Sequence, residues 1–364
     1  MKFLKLLCVI FVLSTFNMYS QKMDKMPSAP VATIKPHKLE KFDDIRIDNY
    51  YWLNDPKNPQ VIDYLNQENA YYDVMTANTK DFQKELFKEM KARIKEDDQS
   101  VPYLYNGYFY LTRFETGQDY PIHSRKKGSL EASEEIMFNC NELAKGHSYY
   151  KLGGVSVSPD NQFATFAVDK VSRRIYDIQI KNLKTGEILP DIINNATGSS
   201  VWANDNKTIF YTKKDTVTLR SDKVYKHEIG TNPLNDELIF EEKDDTFDVF
   251  VYKEKSNKYI VIGSSSTLTN EYQILNADTP NEKFKIFQPR VRGLEYSISH
   301  FGSDFYILTN KDKATNFKLM KTPETATAKE NWLDVISHRE DDLLEDIEIF
   351  KDYLVVEERS NGLT

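Results

Sequence analysis

Short apolar and polar runs alternate along most of the chain, with the spacing that is typical of β-strands. The stretch 155–245 shows the repeating unit most plainly. Ile175–Ile180 alternates apolar and polar residues, as a half-buried strand does, and the turn Ser158–Asn161 separates two earlier β-rich runs. Ile188–Leu189 forms a fourth run, and the cycle restarts at Val201–Trp202. Four short antiparallel strands per cycle predict a β-propeller blade.

The same unit recurs at a loose period. In each cycle a polar turn precedes an aromatic or aliphatic second strand, and successive second strands are 54, 46, 50, 46 and 48 residues apart. The residues that mark them are Phe109, Phe163, Ile209, Tyr259, Phe305 and Tyr353. Propeller repeats are about 40 to 50 residues long, so the pattern favours a propeller over a sandwich of irregular hairpins. The last cycle begins at about Ile347 and reaches only its second strand, which predicts a mainly β propeller over residues 98–364, truncated in its sixth blade.

Residues 21–97 have a helical period instead. After a Pro- and Lys-rich lead-in, Pro59 is placed to open a helix, and a second helix is predicted from Thr79 to Lys95. Their apolar stripes consist of Val61, Tyr64, Leu65, Tyr72 and Met75 in the first helix and Phe82, Leu86, Met90 and Ile94 in the second. Because such stripes are usually packing faces, we expect a helical amino-terminal extension that packs on another domain.

The first twenty residues form a separate element. Two lysines precede the apolar run Leu6–Leu13, and small or polar residues follow as far as Ser20. This is the pattern of a secretory signal peptide, and it is too short to span a membrane whose core is about 30 Å thick. Residues 1–20 therefore predict export to the periplasm or out of the cell.

Composition indicates a soluble globular protein without a membrane span. Apolar residues make up 40% of the chain and charged residues 29%, and the formal net charge is -8. An acidic chain is a poor candidate for binding nucleic acid. The six histidines lack the spacing of metal ligands, and no P-loop or dinucleotide-binding glycine pattern occurs, so neither a metal nor a cofactor is expected. The G-x-S-x-G nucleophile motif is absent, so no catalytic residue is predicted in this chain.

Several strings resemble the prolyl oligopeptidase family. Tyr50–Leu53 followed by Asp55 is similar to the family's amino-terminal signature. Six further strings occur in the family's order and resemble its oligopeptidase B (protease II) branch: Ser172–Tyr176, Val201–Asp205, Val217–Leu219, Val224–Thr231, Glu241–Asp245 and Leu354–Arg359 with Gly362–Thr364. The resemblance covers residues 36–364.

The resemblance implies a seven-bladed propeller that caps an α/β-hydrolase domain carrying a Ser, Asp and His triad. The helical extension would belong with that hydrolase domain. Members of the oligopeptidase B branch cleave short peptides after Arg or Lys. Because the family's chains are longer than this one, the hydrolase domain would lie outside it, and the expected partners are short basic peptides and that missing domain. The signal peptide is a departure, since most members are cytosolic.

Two charged stretches are candidates for a role in the whole enzyme. Arg173 and Arg174 lie between predicted strands, where a propeller loop could face the hydrolase domain and an arginine could hold a carboxylate as a bidentate pair, acting as an interdomain latch. A solvated loop pair is an equal alternative, since exposed ion pairs contribute only about 0–1 kcal/mol. The acidic run Glu241–Asp245 could attract cationic peptides, but we favour the interpretation that it keeps a turn soluble.

The sequence thus predicts the amino-terminal and propeller portion of a secreted oligopeptidase B-like serine peptidase, with the propeller gating substrate size. A prolyl oligopeptidase that cleaves after proline is the alternative within the same class. A non-catalytic propeller that acts as a binding module is the alternative from another class. A longer reading frame that encodes G-x-S-x-G, then Asp and His, would favour the enzyme.

Overall fold

A computed structural model describes residues 27–364, and the chain divides into two compact units, Met1–Lys95 and Glu96–Thr364. The predicted signal peptide, residues 1–20, lies outside the described residues. Among residues 27–364, no helix has the length and apolar character needed to cross a membrane.

The first unit opens with a β-hairpin that the sequence analysis did not predict. Strand β1 (His37–Lys41) pairs with β2 (Asp44–Asp48) in antiparallel register. The turn residues Phe42 and Asp43 both have positive φ, 53° and 62°, as in a type I′ turn. The sequence signal for such a turn is Asn-Gly or Asp-Gly, so nothing in the residue pattern pointed to it.

Helix α1 (Pro59–Met75) forms where the helical spacing predicts it. Asn58 caps its amino terminus, because the side-chain Oδ1 accepts a hydrogen bond from the Gln60 N–H at 3.0 Å. Pro59 occupies a first-turn position where no backbone donor is needed. Val61 is the buried residue of the stripe, at 3% exposure.

Helix α2 (Lys80–Ala92) presents an apolar face to solvent. Phe82 is 64% exposed, Phe87 69% and Met90 59%. Ile94, the last residue of the predicted stripe, lies beyond the end of the helix and is exposed as well. Within residues 27–364 this stripe is therefore not a buried packing face.

The second unit consists almost entirely of antiparallel strands that follow one another in the order of the chain. The strands are β3 (Tyr103–Tyr105), β4 (Tyr108–Arg113), β5 (Ile122–Lys127), β6 (Glu134–Asn139), β7 (Lys151–Val157), β8 (Phe163–Asp169), β9 (Tyr176–Asn182), β10 (Ile193–Trp202), β11 (Thr208–Lys214), β12 (Ser221–Glu228), β13 (Glu237–Glu241), β14 (Asp248–Lys253), β15 (Tyr259–Ser266), β16 (Thr269–Asn276), β17 (Lys285–Ile286), β18 (Tyr296–Phe301), β19 (Asp304–Thr309), β20 (Lys318–Pro323), β21 (Leu333–Ile336), β22 (Asp342–Ile349) and β23 (Leu354–Ser360). One short helix, α3 (Cys140–Leu143), follows β6 and was not predicted.

These strands form meandering sheets, β3–β6, β7–β13, β14–β17, β18–β21 and β22–β23. Such meanders are the blades of a propeller. The first blade opens with the hairpin that the sequence predicts most directly. Asn106 and Gly107 have φ of 45° and 80°, which gives the type I′ turn that Asn-Gly favours, and Tyr103 pairs with Tyr110 across the hairpin.

The second and third blades share strand β10 and so form one seven-stranded sheet. The first half of β10 pairs with β9 through Ile193, and its second half pairs with β11 through Trp202. Between the halves the chain turns at Gly198, which has φ of 100°. A Cβ there would lie 2.8 Å from the ring of Tyr176, so glycine is required by both conformation and space.

The fourth strand of the second blade differs from its prediction. Ile188 makes only an isolated bridge to Lys181, and Ile193 and Ala196 make the regular pairs with β9. Pro190 lies between these two pieces and has no backbone N–H to donate. The predicted run Ile188–Leu189 is therefore only the beginning of a strand whose main part comes later.

Apolar clusters fill the spaces between successive sheets. Phe138 of the first blade packs on Phe166 of the second with 4.8 Å between ring centroids, and Phe287 of the fourth packs on Phe305 of the fifth at 5.0 Å. Further clusters join the second blade to the third and the third to the fourth. Sheets that pack face to face in chain order form a propeller, so the sandwich alternative is wrong.

The last blade has two strands, β22 and β23. Leu344 and Ile347 pack on Leu308 and Leu319 of the fifth blade. The predicted start at Ile347 is wrong, because β22 begins at Asp342 and Ile347 lies near its end. The described residues thus contain five blades and the hairpin of a sixth, and they include no α/β-hydrolase domain.

Candidate functional site

A cavity of about 580 Å³ lies where the first strands of four successive blades converge. Tyr105 of β3, Val157 of β7, Trp202 of β10 and Lys253 of β14 contribute to its wall, together with side chains from the other strands of the first blade. Because the blades of a propeller surround a central channel, we call this space the central cavity.

Turns at one end of the blades form the rim of the central cavity and are tied together. The Asn106 side chain donates to the Pro159 carbonyl at 2.7 Å, and the Asn161 side chain donates to the Asn106 carbonyl at 3.2 Å. In the next pair of turns, the Asp160 N–H donates to Asn206 Oδ1 at 2.9 Å. These turns join the first and second strands of three successive blades, so the hydrogen bonds fix the spacing of the rim.

Glu254 directly follows β14 and borders the central cavity from a buried position, at 5% exposure. Its Oε2 accepts a hydrogen bond from the His300 N–H at 3.0 Å. Its Oε1 is buried, and the Tyr252 hydroxyl on β14 is the hydrogen-bonding group beside the carboxyl. Burial raises the pKa of Glu254 to about 7, against the lowering effects of the His300 N–H and the Tyr252 hydroxyl. Burial therefore favours the protonated form of this carboxyl.

His300 is held beside Glu254 by hydrogen bonds on both ring nitrogens. Nδ1 lies 2.9 Å from Ser256 Oγ, and Nε2 lies 3.0 Å from Glu324 Oε2. Burial lowers the pKa of His300 by more than Glu324 raises it. The neutral imidazole fits these contacts, with Nε2–H donating to Glu324 and Nδ1 accepting from Ser256. We call Glu254, Ser256, His300 and Glu324 the Glu254–His300 cluster.

Two lysines flank Glu254 in the chain and also border the central cavity. Lys253 Nζ donates to Asn204 Oδ1 at 2.5 Å, and burial lowers the pKa of this lysine. Lys255 pairs with Glu348 and lies over the ring of Phe350, 3.8 Å from the ring centroid. Both ammonium groups therefore have partners of their own, and neither pairs with Glu254.

A second buried histidine lies on β12. His227 is 0% exposed, and its Nδ1 lies 2.8 Å from Asp236 Oδ1 and its Nε2 3.3 Å from Asp191 Oδ2. Tyr211 donates to Asp236 at 2.7 Å, and the Gly230 N–H donates to Asp191 at 2.6 Å. Burial opposes the charged imidazole, but the hydrogen bonds and charges of both aspartates outweigh it and raise the pKa of His227. No member of this Asp191–His227–Asp236 cluster lines the central cavity.

Arg173 and Arg174, the predicted latch residues, lie exposed in the loop between β8 and β9. The backbone anchors this loop: the Arg174 N–H donates to Asp169 Oδ2 at 2.7 Å, and Lys214 Nζ donates to the Arg174 carbonyl at 3.0 Å. Neither guanidinium forms an ion pair with another residue in the described part of the chain. Because the loop joins a second strand to a third, it lies at the opposite end of the blades from the rim of the central cavity.

The acidic run Glu241–Asp245 does not act as a unit. Glu242 is 6% exposed and pairs with Arg290, whose guanidinium lies 3.8 Å over the ring of Phe247. Burial opposes the ionised form, but Arg290 together with hydrogen bonds from the Asp244 N–H and the Ser264 hydroxyl outweighs it and lowers the pKa of Glu242. The prediction that the run only keeps a turn soluble is wrong for Glu242, which fixes the start of the fourth blade. Asp245 instead borders an open pocket of about 700 Å³ that Arg174 also lines.

Sequence reasoning missed Glu254 and its neighbours. Glu254 and Ser256 belong to a polar turn that resembles the turn before every second strand, whereas His300 lies on β18 and Glu324 directly follows β20. One signal was present, because alternation along β14 places Phe250, Tyr252 and Glu254 on the same face. A carboxylate that continues an aromatic face is a candidate for burial. Across residues 27–364 no group of three or more His, Cys, Asp or Glu side chains is placed to hold a metal ion.

The family model that describes the amino-terminal β-propeller domain of prolyl oligopeptidase matches residues 30–364. The chain belongs to the prolyl oligopeptidase family. Dipeptidyl aminopeptidase BI of Pseudoxanthomonas mexicana is 40% identical over 345 residues, which cover 90% of this chain and 47% of that protein. Protease 2 of Moraxella lacunata is 33% identical over 342 residues, which cover 92% of this chain and 49% of that protein.

Solved structures of the prolyl oligopeptidase family have the same fold. Oligopeptidase B from Leishmania major matches with a TM-score of 0.85 and 31% identity, covering 92% of this chain and 50% of that one. The family and the propeller fold predicted from the sequence are thus confirmed. The chain spans about half the length of the curated relatives it matches.

Proposed function

We propose that the whole protein is a secreted serine peptidase similar to oligopeptidase B, which hydrolyses short peptides after Arg or Lys. In this proposal the described chain supplies the propeller, and a hydrolase domain outside it supplies the catalytic triad. The similarity to oligopeptidase B over 92% of the chain is the observation that carries the proposal.

The central cavity supports a role of the propeller in selecting substrates by size. Its volume of about 580 Å³ holds a small ligand or a short extended peptide, not a folded domain. Hydrogen bonds between neighbouring turns tie its rim, so widening it means breaking several of them together. A propeller of this kind admits short peptides and excludes folded proteins.

The exposed face of α2 supports docking of a hydrolase domain on the amino-terminal unit. Phe82, Phe87 and Met90 form an apolar surface on one helix, and soluble proteins usually cover such surfaces. The occupant that we propose is the hydrolase domain of the same protein. On its own the described chain should therefore associate or bind apolar dyes, and it should have no peptidase activity.

The test is expression of the whole reading frame followed by assays with blocked arginyl, lysyl and prolyl substrates. We expect hydrolysis after Arg and Lys that a serine-directed inhibitor abolishes. Cleavage after Pro alone would favour the prolyl alternative. A reading frame without Ser, Asp and His, and without activity, would favour the binding module.

A second candidate activity is the removal of dipeptides from free amino termini. The 40% identity to a protein named dipeptidyl aminopeptidase BI favours it. The two activities differ in their requirement for an amino group. Comparing one arginyl substrate with a free and with a blocked amino terminus therefore separates them: a dipeptidyl aminopeptidase loses the blocked substrate, and an endopeptidase does not.

The interdomain latch at Arg173 and Arg174 is also part of the proposal. Both guanidinium groups are exposed and have no ion-pair partner within residues 27–364, so they are available to a carboxylate on another domain. Losing a coupling of about 1–3 kcal/mol would shift the ratio of closed to open forms about 5- to 150-fold. In Arg173→Ala and Arg174→Ala variants of the whole enzyme, kcat/KM and its salt dependence should change first. Unchanged kinetics and radius of gyration in both variants would eliminate the latch.

Export to the periplasm rests on the pattern of residues 1–20. We expect the mature protein to have lost about twenty residues by signal-peptide cleavage. Amino-terminal sequencing of the native protein tests this, and a mature chain that begins at Met1 would contradict it.

A further inference from the structure

We propose that the Tyr105 side chain is a gate at the rim of the central cavity, held closed by one hydrogen bond to Asn257 of the fourth blade. The gate opens by rotation of the Tyr105 side chain and needs no movement of the blades. It controls the passage of small molecules through the rim, so the proposal does not depend on the proposed peptidase activity.

The first argument is that this hydrogen bond crosses the channel. Tyr105 is the last residue of β3 in the first blade, and Asn257 lies in the turn between β14 and β15 in the fourth. The Tyr105 hydroxyl donates to Asn257 Oδ1 at 3.2 Å. The second and third blades lie between the first and the fourth in the order of the sheets. Because both residues line the central cavity, a contact between them spans its mouth.

The second argument is that the Tyr105–Asn257 hydrogen bond closes a ring of turns. Hydrogen bonds join the rim turns of the first, second and third blades. The third and fourth blades are joined as well, because Asn204 Nδ2 donates to the Asn257 carbonyl at 3.0 Å and the Asn204 N–H donates to the Ala277 carbonyl at 2.8 Å. Tyr105 completes the circuit from the fourth blade back to the first. Four hydrogen-bonded turns therefore enclose the mouth at this end of the cavity.

The third argument is that the Tyr105–Asn257 contact is the easiest member of this ring to break. Two hydrogen bonds join the first and second turns, and the second and third blades also share β10. Tyr105 and Asn257, in contrast, are both exposed, so water can replace either partner and the net contribution of their hydrogen bond is small. Rotation of an exposed side chain is fast, whereas separation of the blades would break several hydrogen bonds together.

The turn holds the acceptor in place, so Tyr105 is the partner that moves. Asn257 has φ of 59°, a left-handed conformation that asparagine and aspartate adopt more readily than most residues. Its N–H donates to the Glu254 carbonyl at 2.8 Å. The backbone of Asn257 is thus fixed on both sides, since its own carbonyl accepts from Asn204.

The experiment uses the whole protein, expressed from the complete reading frame, so that the exposed face of α2 is in its native setting. Ser156 lines the central cavity, and Ser156→Cys places a thiol there with little change in size. Iodoacetamide is the probe, and mass spectrometry of the peptide that contains position 156 gives the rate of alkylation. Cys140 is an internal reference that should react slowly, because it is 1% exposed and burial raises the pKa of its thiol to about 11.

Two nearly isosteric substitutions should change the alkylation rate in opposite directions. Tyr105→Phe keeps the ring and removes the hydroxyl, so alkylation should become about 2- to 10-fold faster, as expected for the loss of one neutral hydrogen bond. Asn257→Asp offers a charged acceptor, which forms a stronger hydrogen bond with the Tyr105 hydroxyl, so alkylation should become slower. In the Tyr105→Phe background, Asn257→Asp should have no effect.

Tyr103→Phe is the matched control. Tyr103 lies on the same face of β3 and lines the same cavity, with its ring stacked on Tyr110. Its loss of a hydroxyl leaves the gate intact, so the alkylation rate should equal that of the protein with only Ser156→Cys. Amide hydrogen exchange in β7 and β14 should be the same in all variants, because the blades stay in place.

The proposal is overturned if Tyr105→Phe leaves the alkylation rate unchanged, or if Tyr103→Phe raises it equally. It is also overturned if Asn257→Asp has the same effect with and without the Tyr105 hydroxyl. Exchange in β7 and β14 that rises together with alkylation would overturn it too, because the blades and not the side chain would then move. Circular dichroism and a cooperative thermal transition confirm that each variant is folded. Because no peptide is used, a negative result leaves the proposed peptidase function to its own assays.

Discussion

The two buried histidine clusters of the propeller both combine an imidazole with carboxylates, but they shift the pKa of the histidine in opposite directions. In the Asp191–His227–Asp236 cluster the pKa of the histidine is raised, and in the Glu254–His300 cluster it is lowered. His227 is 0% exposed and His300 5%. Burial therefore does not account for the difference.

The number and direction of the hydrogen bonds decide the outcome. Both nitrogens of His227 face carboxylates, so the doubly protonated ring satisfies both contacts. Only Nε2 of His300 faces a carboxylate, since Nδ1 faces a serine hydroxyl that can donate to it. The one carboxylate beside His300, that of Glu324, also accepts a hydrogen bond from Lys258 and does not compensate for the desolvation of the imidazole. The two carboxylates beside His227 do compensate for it.

The largest expected effect comes from breaking the His227 cluster with Asp236→Ala. This change removes the acceptor of both the imidazole and the Tyr211 hydroxyl, and the Asp236 side chain is only 3% exposed. Removing one partner of a buried pair costs about 3–5 kcal/mol. Urea unfolding at pH 6 measures the loss. Asp245→Ala, at an exposed position, is the control and should stay within about 0.5 kcal/mol of the native chain.

A smaller effect of opposite sign is expected from Glu254→Gln. The pKa of Glu254 is about 7 in the folded chain, against an ordinary value of 4.5. The fold favours the protonated form of this side chain. The stability that it contributes is therefore present at low pH and is lost as the pH rises through about 7. The variant should gain up to about 3 kcal/mol at pH 8 and little at pH 5. Unfolding at both pH values is the measurement, and an equal change at both would contradict the assignment.

The two histidines should also differ in the pH dependence of stability. The raised pKa of His227 stabilises the fold below about pH 6.5, and this contribution is lost as the pH rises through the folded pKa. The lowered pKa of His300 has the reverse effect. Its cost to the fold is present at low pH and disappears as the pH rises towards about 6.5. NMR titration of the ring protons, assigned with His227→Gln and His300→Gln, should place the two pKa values on opposite sides of that of a free histidine. Two values on the same side would refute the comparison.

The smallest effect is expected from Arg174→Ala in the described chain. The side chain is exposed, and the loop is held by backbone contacts that the substitution keeps. Stability should stay within about 0.5 kcal/mol of the native chain. Thermal unfolding checks this. A larger loss would mean that Arg174 acts within the propeller, and the latch would need another residue.

Features that depend on neighbouring residues could be predicted from the sequence. The second strands contain five of the six marker residues, because alternation and turn chemistry are local. The sixth, Tyr353, lies just before β23. The Asn106–Gly107 hairpin has the same local basis. In contrast, nothing in the sequence around Pro190 showed that the strand resumes and joins the next blade.

The candidate site depended on distant residues and could not be predicted. The raised pKa of His227 comes first from Asp236, nine residues away, and then from Asp191, 36 residues away, and His300 lies 46 residues from Glu254. None of these spacings corresponds to a turn of helix or to a strand register. The burial that sets each pKa exists only when neighbouring blades pack together.

Strand β10 has a consequence for how the propeller opens. Repeat proteins usually gain stability from each repeat and from contacts between neighbours, so single repeats can open alone. Because β10 supplies the last strand of one blade and the first of the next, separating either blade breaks hydrogen bonds of the other. We therefore expect amide hydrogen exchange to show the second and third blades as one cooperative unit. The peptide segment Ile193–Trp202 joins them, and among the sheets of residues 27–364 it is the strand that two blades share.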